Sequence, residues 1–277
     1  MMSVRKSAPL PQGASPAAPI GKKPNVHIVS VADILRYPER DSGKINILGN
    51  YVLKPGAKSS SFYMTPSELK LSFASEGGEN AIGILQKIEG LHPGNYITSR
   101  EFTAEWFGTP CILFLGLCDG TGNHDVYGTE CSPLTFKPSQ ELNNDSTNFT
   151  FMFEQFARTK SLPGLYSGTL ALALPNAPAA FDLDLLAANE TQQYNLPASD
   201  TALTTISVAT EDLDQDTTVS IVGAGGANPA VLSDGASTAA TIILKNGTDW
   251  IALNNAVIHL KKIDNGSVTF LYELFRS

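Results

Sequence analysis

Between Cys111 and Cys118 the chain reads CILFLGLC, a continuous apolar run set between Pro110 and the turn-forming Asp119-Gly120. A half-exposed strand would alternate polar with apolar residues, and a helix would need a longer pattern of different period, so this run reads as a central strand. The residues before it supply its surroundings. IGILQKIEGL places Ile82, Ile84, Gln86 and Ile88 on one face of a strand. His92-Pro93-Gly94-Asn95 then makes a turn, because proline fixes φ and glycine permits positive φ. SREFTAEWFG follows as the one convincing amphipathic helix, with Thr98 or Ser99 as its expected cap, Glu101 near its positive end and Gly108 closing it. Phe102 and Trp106 stand one turn apart, with Phe107 beside them, and are the expected anchors of this helix. A helix of about two to three turns does not stand alone in water, so it must pack on a sheet. Residues 81–118 thus read as strand, turn, helix and buried strand.

The rest of the chain is strand and turn. In ELKLSFASEG, Leu69, Leu71 and Phe73 alternate with Lys70 and Ser72, and in NFTFMFEQF, Phe149, Phe151 and Phe153 alternate with Thr150, Met152 and Glu154. Turn clusters separate the strands at Lys54-Pro55-Gly56, at DGTGNHD and at NNDSTN. Four segments are expected. Residues 1–26, rich in Pro, Ala, Ser and Gly, have the composition of a flexible arm that an assembly can order against a neighbour. Residues 27–170 form a first β domain, residues 171–190 (Ala-, Pro- and Leu-rich) a linker, and residues 191–277 a small C-terminal β-sandwich or barrel of short strands.

Charge is unevenly placed. Arg5, Lys6, Lys22 and Lys23 give residues 1–26 a charge of +4 with no acid, so the total of −8 leaves −12 on residues 27–277. An acidic body does not hold nucleic acid by neutralising phosphates. It suits the wall of a channel that nucleic acid passes through, and it equally serves plain solubility. Charged residues are 17% of the chain against about 25% in ordinary domains, which leaves much of the surface uncharged or covered by neighbours. No apolar run reaches the roughly 18 residues of a membrane span, so no membrane partner is expected. Cys111, Cys118 and Cys131 form no CxxC pair, and no signal peptide precedes them, which points to a reduced, intracellular setting.

Several stretches imitate chemistry. VSIVGAGGAN resembles a dinucleotide fingerprint, but Asn228 stands at the third small position and Pro229 follows where a helix is needed; a glycine-rich turn is expected and no cofactor. Asp212, Asp214 and Asp216 crowd one turn. Read as a calcium loop from Asp212, the required Gly and Glu positions hold Thr217 and Gly223, leaving either a looser cation site or a solvated acidic turn. His27, His92, His124 and His259 form no HxH or HxxxH pair and are expected at turns or on strand surfaces. Asp119, His124, Asp125 and Cys131 can be drawn as a Cys–His–Asp site but fall in a polar hairpin loop. Nothing commits the chain to catalysis, and it is expected not to be an enzyme.

FYMTPSELKLSFASEG, the strand–HPGN–helix–ILFLGLC segment, GTECSPLTF and FTFMFEQ together resemble structural proteins of tailed bacteriophages, over roughly residues 45–170. TTVSIVGAGGANP, TIILKNGTDWIAL and NGSVTFLYELFRS are similar to an accessory β domain appended to such proteins. The resemblance implies a tail-tube-like β-sandwich with one flanking helix, found in the virion after assembly in the host bacterial cytoplasm. Its copies would form stacked, hexameric rings, contact other virion proteins, and pass DNA as transient cargo. Loops 54–61, 119–125 and 143–148 would then touch adjacent subunits. Two other roles stay open: a capsid decoration or head–tail connector protein, and a carbohydrate-binding module in which Trp250 and Tyr272 offer stacking faces.

Overall fold

The computed structural model describes Ala8, residues 20–142 and residues 147–277. Most of the expected arm and residues 143–146, the first four of the NNDSTN loop, lie outside the described residues. The last five residues of the expected arm, 22–26, are already strand. β1 (Lys22–Ser30) begins before His27 because the Pro24 carbonyl accepts the Met64 amide at 2.8 Å and the Lys22 ammonium donates to the Leu69 carbonyl.

The first unit continues through β2 (Ile34–Arg36), β3 (Glu39–Arg40), β4 (Asn46–Leu48), β5 (Val52–Leu53), β6 (Ser60–Tyr63), β7 (Lys70–Glu76) and β8 (Gly83–Pro93). The helix α1 (Ile97–Trp106) follows, then β9 (Pro110–Leu117), β10 (His124–Tyr127), β11 (Leu134–Leu142), β12 (Thr147–Gln155) and β13 (Gly164–Tyr166). The fold is mainly β with one short α-helix among the described residues, as the strand and turn patterns require.

β9 is the junction of two sheet halves. One edge pairs with β1, which pairs onward with β6. The other edge pairs with β10 along its second half and with β11 at its start. From β10 the sheet runs through β13, β4 and β3; from β11 it runs through β12 and β8 to β7. This explains the missing alternation in CILFLGLC. Cys111, Leu113 and Leu115 face a core with Val26, Ile28, Phe136, Phe151 and Phe153, whereas Ile112 and Phe114 face a second core with Val29, Ile47, Leu53, Val126 and Tyr166. A strand buried on both faces has no place for a polar residue.

α1 covers the first of these cores. Phe102 packs against Phe62 (5.0 Å between ring centroids), Phe151 (5.6 Å) and Phe136 (5.9 Å), and Trp106 is buried beside it. Each ring removed from water contributes about 2–3 kcal/mol, which is what holds so short a helix. Phe107, at the end of α1, is exposed instead. The expected cap is corrected too: Tyr96 occupies the N-cap position without a side-chain bond, and Ser99 lies inside the first turn facing inward. Gly108 closes the helix with φ of 73°.

Gln86 shares the apolar face of β8 and is fully buried, but both ends of its side-chain amide are engaged. It accepts from the Gly128 amide (2.8 Å) and donates to the Ser161 carbonyl (3.0 Å), while Gln155 accepts from its backbone N–H (2.9 Å). Ile82 falls outside the strand and is exposed.

The second unit comprises β14 (Asp182–Leu186), β15 (Gln193–Asn195), β16 (Ser207–Asp212), β17 (Thr218–Val222), β18 (Val231–Leu232), β19 (Gly235–Ala236), β20 (Thr241–Ile243), β21 (Trp250–Ile251), β22 (Val257–Asp264) and β23 (Thr269–Arg276). A six-stranded sheet in the order β15-β17-β22-β23-β20-β19 packs against the pairs β14–β16 and β18–β21. Residues 171–190 are therefore not a plain linker. FDLDLL alternates Asp with Leu and forms β14 alongside β16, with Leu183 and Leu185 wholly buried. That signal is only one short strand long and is masked by its Ala- and Pro-rich surroundings.

Candidate functional site: the unit junction, a free sheet edge and an aromatic groove

The two units meet through buried polar groups. Gly49 and Asn50, between β4 and β5, insert against β17 and β22. The Asn50 side-chain amide donates to the Thr218 carbonyl (2.8 Å) and to Ser220 Oγ (3.1 Å), while its oxygen accepts from the Thr169 amide (2.8 Å). His259 Nδ1 faces the Ser220 hydroxyl at 3.0 Å and the Asn50 backbone N–H at 3.4 Å. Because an N–H can only donate, Nδ1 is the acceptor and the ring is neutral with its proton on Nε2. Burial holds His259 down to about 4 from 6.5, because charging the ring there would forfeit its hydration. The ring stacks on Phe275 at 4.3 Å. Gly49, with φ of 83°, lies so close that a Cβ would stand 2.7 Å from Phe275 and 3.1 Å from the imidazole. Val52, Val222 and Val257 seal the contact with an apolar cluster.

The other histidines were also expected at surfaces. His27 and His124, each half-buried on its strand, approach as an edge-on pair, 6.1 Å between centroids. Burial lowers both, His124 to about 4; Lys23 lowers both further, and the charge of His27 acts the same way on His124. Asp125 follows His124 on β10 and so points to the opposite face, which separates these two members of the drawn Cys–His–Asp set.

A second feature is the edge strand β7. It ends the strand order of its sheet, runs without a register break along β8, and exposes Phe73 at 54%. The alternation that predicted a half-buried strand thus holds only at its start, where Leu69 is buried and Leu71 is packed against the core.

The third is a groove of about 510 Å³ at the start of α1, lined by Phe62, Tyr63, His92, Tyr96, Phe102 and Phe151, with Ser61, Pro93, Thr98 and Ser99 at its margins. His92 lies flat on Phe151 (5.0 Å, 9° between planes). Its Nδ1 donates to the Tyr63 carbonyl (2.9 Å), which leaves Nε2 to accept the Ser99 hydroxyl (2.8 Å). One imidazole thereby ties β6, β8 and α1 together and sets the groove's floor.

The sequence-derived candidates fare differently. Asp212, Asp214 and Asp216 are exposed, Asp216 pairs with Lys261 at 2.9 Å, and no cluster of three metal-ligating side chains exists among the described residues. Trp250 is 3% exposed, locked in the core of the second unit, so it cannot stack on a sugar; Tyr272 is partly exposed. In VSIVGAGGAN, a Cβ on Gly223 would strike the Ala252–Leu253 backbone at 2.4 Å and one on Gly226 the Ser199 backbone at 2.2 Å. Those glycines serve close chain packing. Phe102 and Trp106 hold the helix as described above. Cys111 is buried, which pushes its thiol up, while Cys118 and Cys131 are exposed; all three are free. The junction residues Asn50, Gln193, Ser220 and His259 carried no sequence signal, since each is an ordinary polar residue in a strand or turn. Among the described residues no helix is long and apolar enough to cross a membrane.

No protein-family model matches the chain, and comparisons with curated proteins and with solved structures give no match either.

Proposed function

We propose that the chain is a self-assembling structural subunit of a virion, built in the manner of a phage tail tube, and acts as a scaffold rather than an enzyme. The observation that carries this reading is β7, an edge strand of seven residues whose outer edge pairs with no strand among the described residues and which exposes Phe73. Long, flat, partly apolar edges template pairing with another chain, and proteins that stay monomeric blunt them with bulges, prolines or inward charges. β7 has no bulge and no proline. Head-to-tail pairing at this edge closes into a ring when the rotation between copies allows it. The charge of −12 on residues 27–277 suits a lumen that lets DNA slide past without binding. Other virion proteins would be its further partners.

The test is negative-stain microscopy with sedimentation velocity on the full chain. Rings or stacked tubes are expected, and Phe73→Lys should shift the population to monomer with an unchanged melting temperature. A wild-type protein that remains monomeric across micromolar to high-micromolar concentration overturns the reading.

A further inference from the structure

The groove at the start of α1 is lined by aromatic rings, and the same sequence contains a proline-rich segment. We propose that it seats the proline-rich segment Pro9–Pro19, PLPQGASPAAP. Proline locks φ near the polyproline II value, and that conformation makes no internal hydrogen bonds, so it offers flat pyrrolidine faces and bare carbonyls to a partner. The groove supplies the complement of both. Tyr63, Tyr96 and Phe102 present ring surface over the floor made by His92 and Phe151. The phenols of Tyr63 and Tyr96 and the hydroxyls of Ser61 and Thr98 have no partner among the described residues, and the first-turn amides of α1 lack a side-chain cap. Aromatic rings beside unspent donors are the chemistry by which proline-rich segments are recognised. Tyr96 is 71% exposed and Ile97 72%, a costly place for large apolar side chains unless something covers them.

The tether fits as well. β1 carries the segment into the sheet next to the groove wall, with Asn25 directly opposite Tyr63. Eleven residues in the polyproline II conformation span about 34 Å, at roughly 3.1 Å per residue. The groove's volume lies within the range of about 300–1,000 Å³ typical of sites that bury a compact ligand. The inference stands whether or not the chain assembles into tubes.

The experiment uses the full chain with Tyr96→p-benzoylphenylalanine, irradiated and digested with trypsin. Cleavage after Lys6 and Lys22 releases the whole segment as one peptide, Ser7–Lys22. The expected result is a crosslink to that peptide, reduced at least fivefold when Pro9, Pro11, Pro16 and Pro19 are replaced by Ser, and reduced likewise by Tyr63→Ala. An equal mixture of ¹⁵N-labelled and unlabelled protein reports the source: mixed-mass crosslinks place the segment in a neighbour's groove, and same-mass crosslinks place it in its own. Either supports the proposal. Crosslinks confined to other peptides, to a co-purifying protein, or a Ser7–Lys22 yield unchanged by the proline replacements overturns it. Circular dichroism melting of the proline variant checks that the fold is intact.

Discussion

The side chain of Gln193 pairs with the backbone of Leu53 as a strand would, its oxygen accepting the Leu53 amide at 2.9 Å and its nitrogen donating to the Leu53 carbonyl at 2.8 Å. Both residues are buried, so water cannot replace either bond. Gln193→Leu leaves a buried N–H and a buried C=O without partners. We expect a loss of about 2–4 kcal/mol in denaturant unfolding, since each such group costs about 1–3 kcal/mol. Gln193→Glu keeps the acceptor but sets a buried carboxylate oxygen against the Leu53 carbonyl, so near neutral pH it should cost at least as much as Gln193→Leu.

His259 makes the junction sensitive to acid. The folded chain holds it neutral down to about 4, whereas the unfolded chain takes up a proton near 6.5. Between those values the unfolded state binds more protons, so stability rises with pH, is fully present above about 6.5, and is lost as pH falls to about 4. The total for this group is about 3 kcal/mol. Urea unfolding at a series of pH values should show that slope. His259→Gln, which cannot charge, should reduce it, leaving the share that His124 and His27 contribute over the same range, and an undiminished slope in that variant would refute the assignment.

Phe102 anchors α1, so Phe102→Ala should cost about 2–4 kcal/mol, read as a lower denaturation midpoint. The adjoining aromatic is the control. Phe107 is exposed, and Phe107→Ala should change stability by no more than about 0.5 kcal/mol.

The second unit buries an ion pair. Lys262 Nζ lies 3.0 Å from Glu211 Oε1 and 2.5 Å from the Leu213 carbonyl, and the same carboxylate oxygen accepts the Leu213 amide at 2.7 Å. Breaking such a pair from one side strands a charge, so Glu211→Leu should cost about 3–5 kcal/mol. The double variant Glu211→Leu with Lys262→Met should recover most of that loss, because an apolar pair of similar volume removes both desolvation penalties. A double-mutant cycle by chemical denaturation measures the difference.

Legibility in the sequence followed the range of each interaction. β9 and β12 were readable because their patterns lie within a few consecutive residues, as was the pairing of Phe102 with Trp106 one helical turn apart. The junction was not readable. Leu53 and Gln193 are 140 positions apart, Asn50 and Thr218 are 168, and Asn50 and His259 are 209. A lone Gln or His in a strand gives no sign of which distant backbone group it will meet. Trp250 shows the same limit from the other side, since an indole beside a turn reads equally as a surface platform or as core, and only its neighbours make it core.

What the sequence determined by itself is the class: mainly β, one short helix, and a central strand at Cys111–Cys118, because hydrophobic period and turn chemistry are local properties of the backbone. The tertiary structure alone decided that this strand is the junction of two sheet halves with a core on either face. It also decided that Gly49 and Asn50 lock one unit to the other, that β7 keeps a free edge, and that α1 leaves a groove open beside Tyr96. Each of those depends on which remote segments come into contact, and burial of a side chain is set by those contacts rather than by its neighbours in the chain.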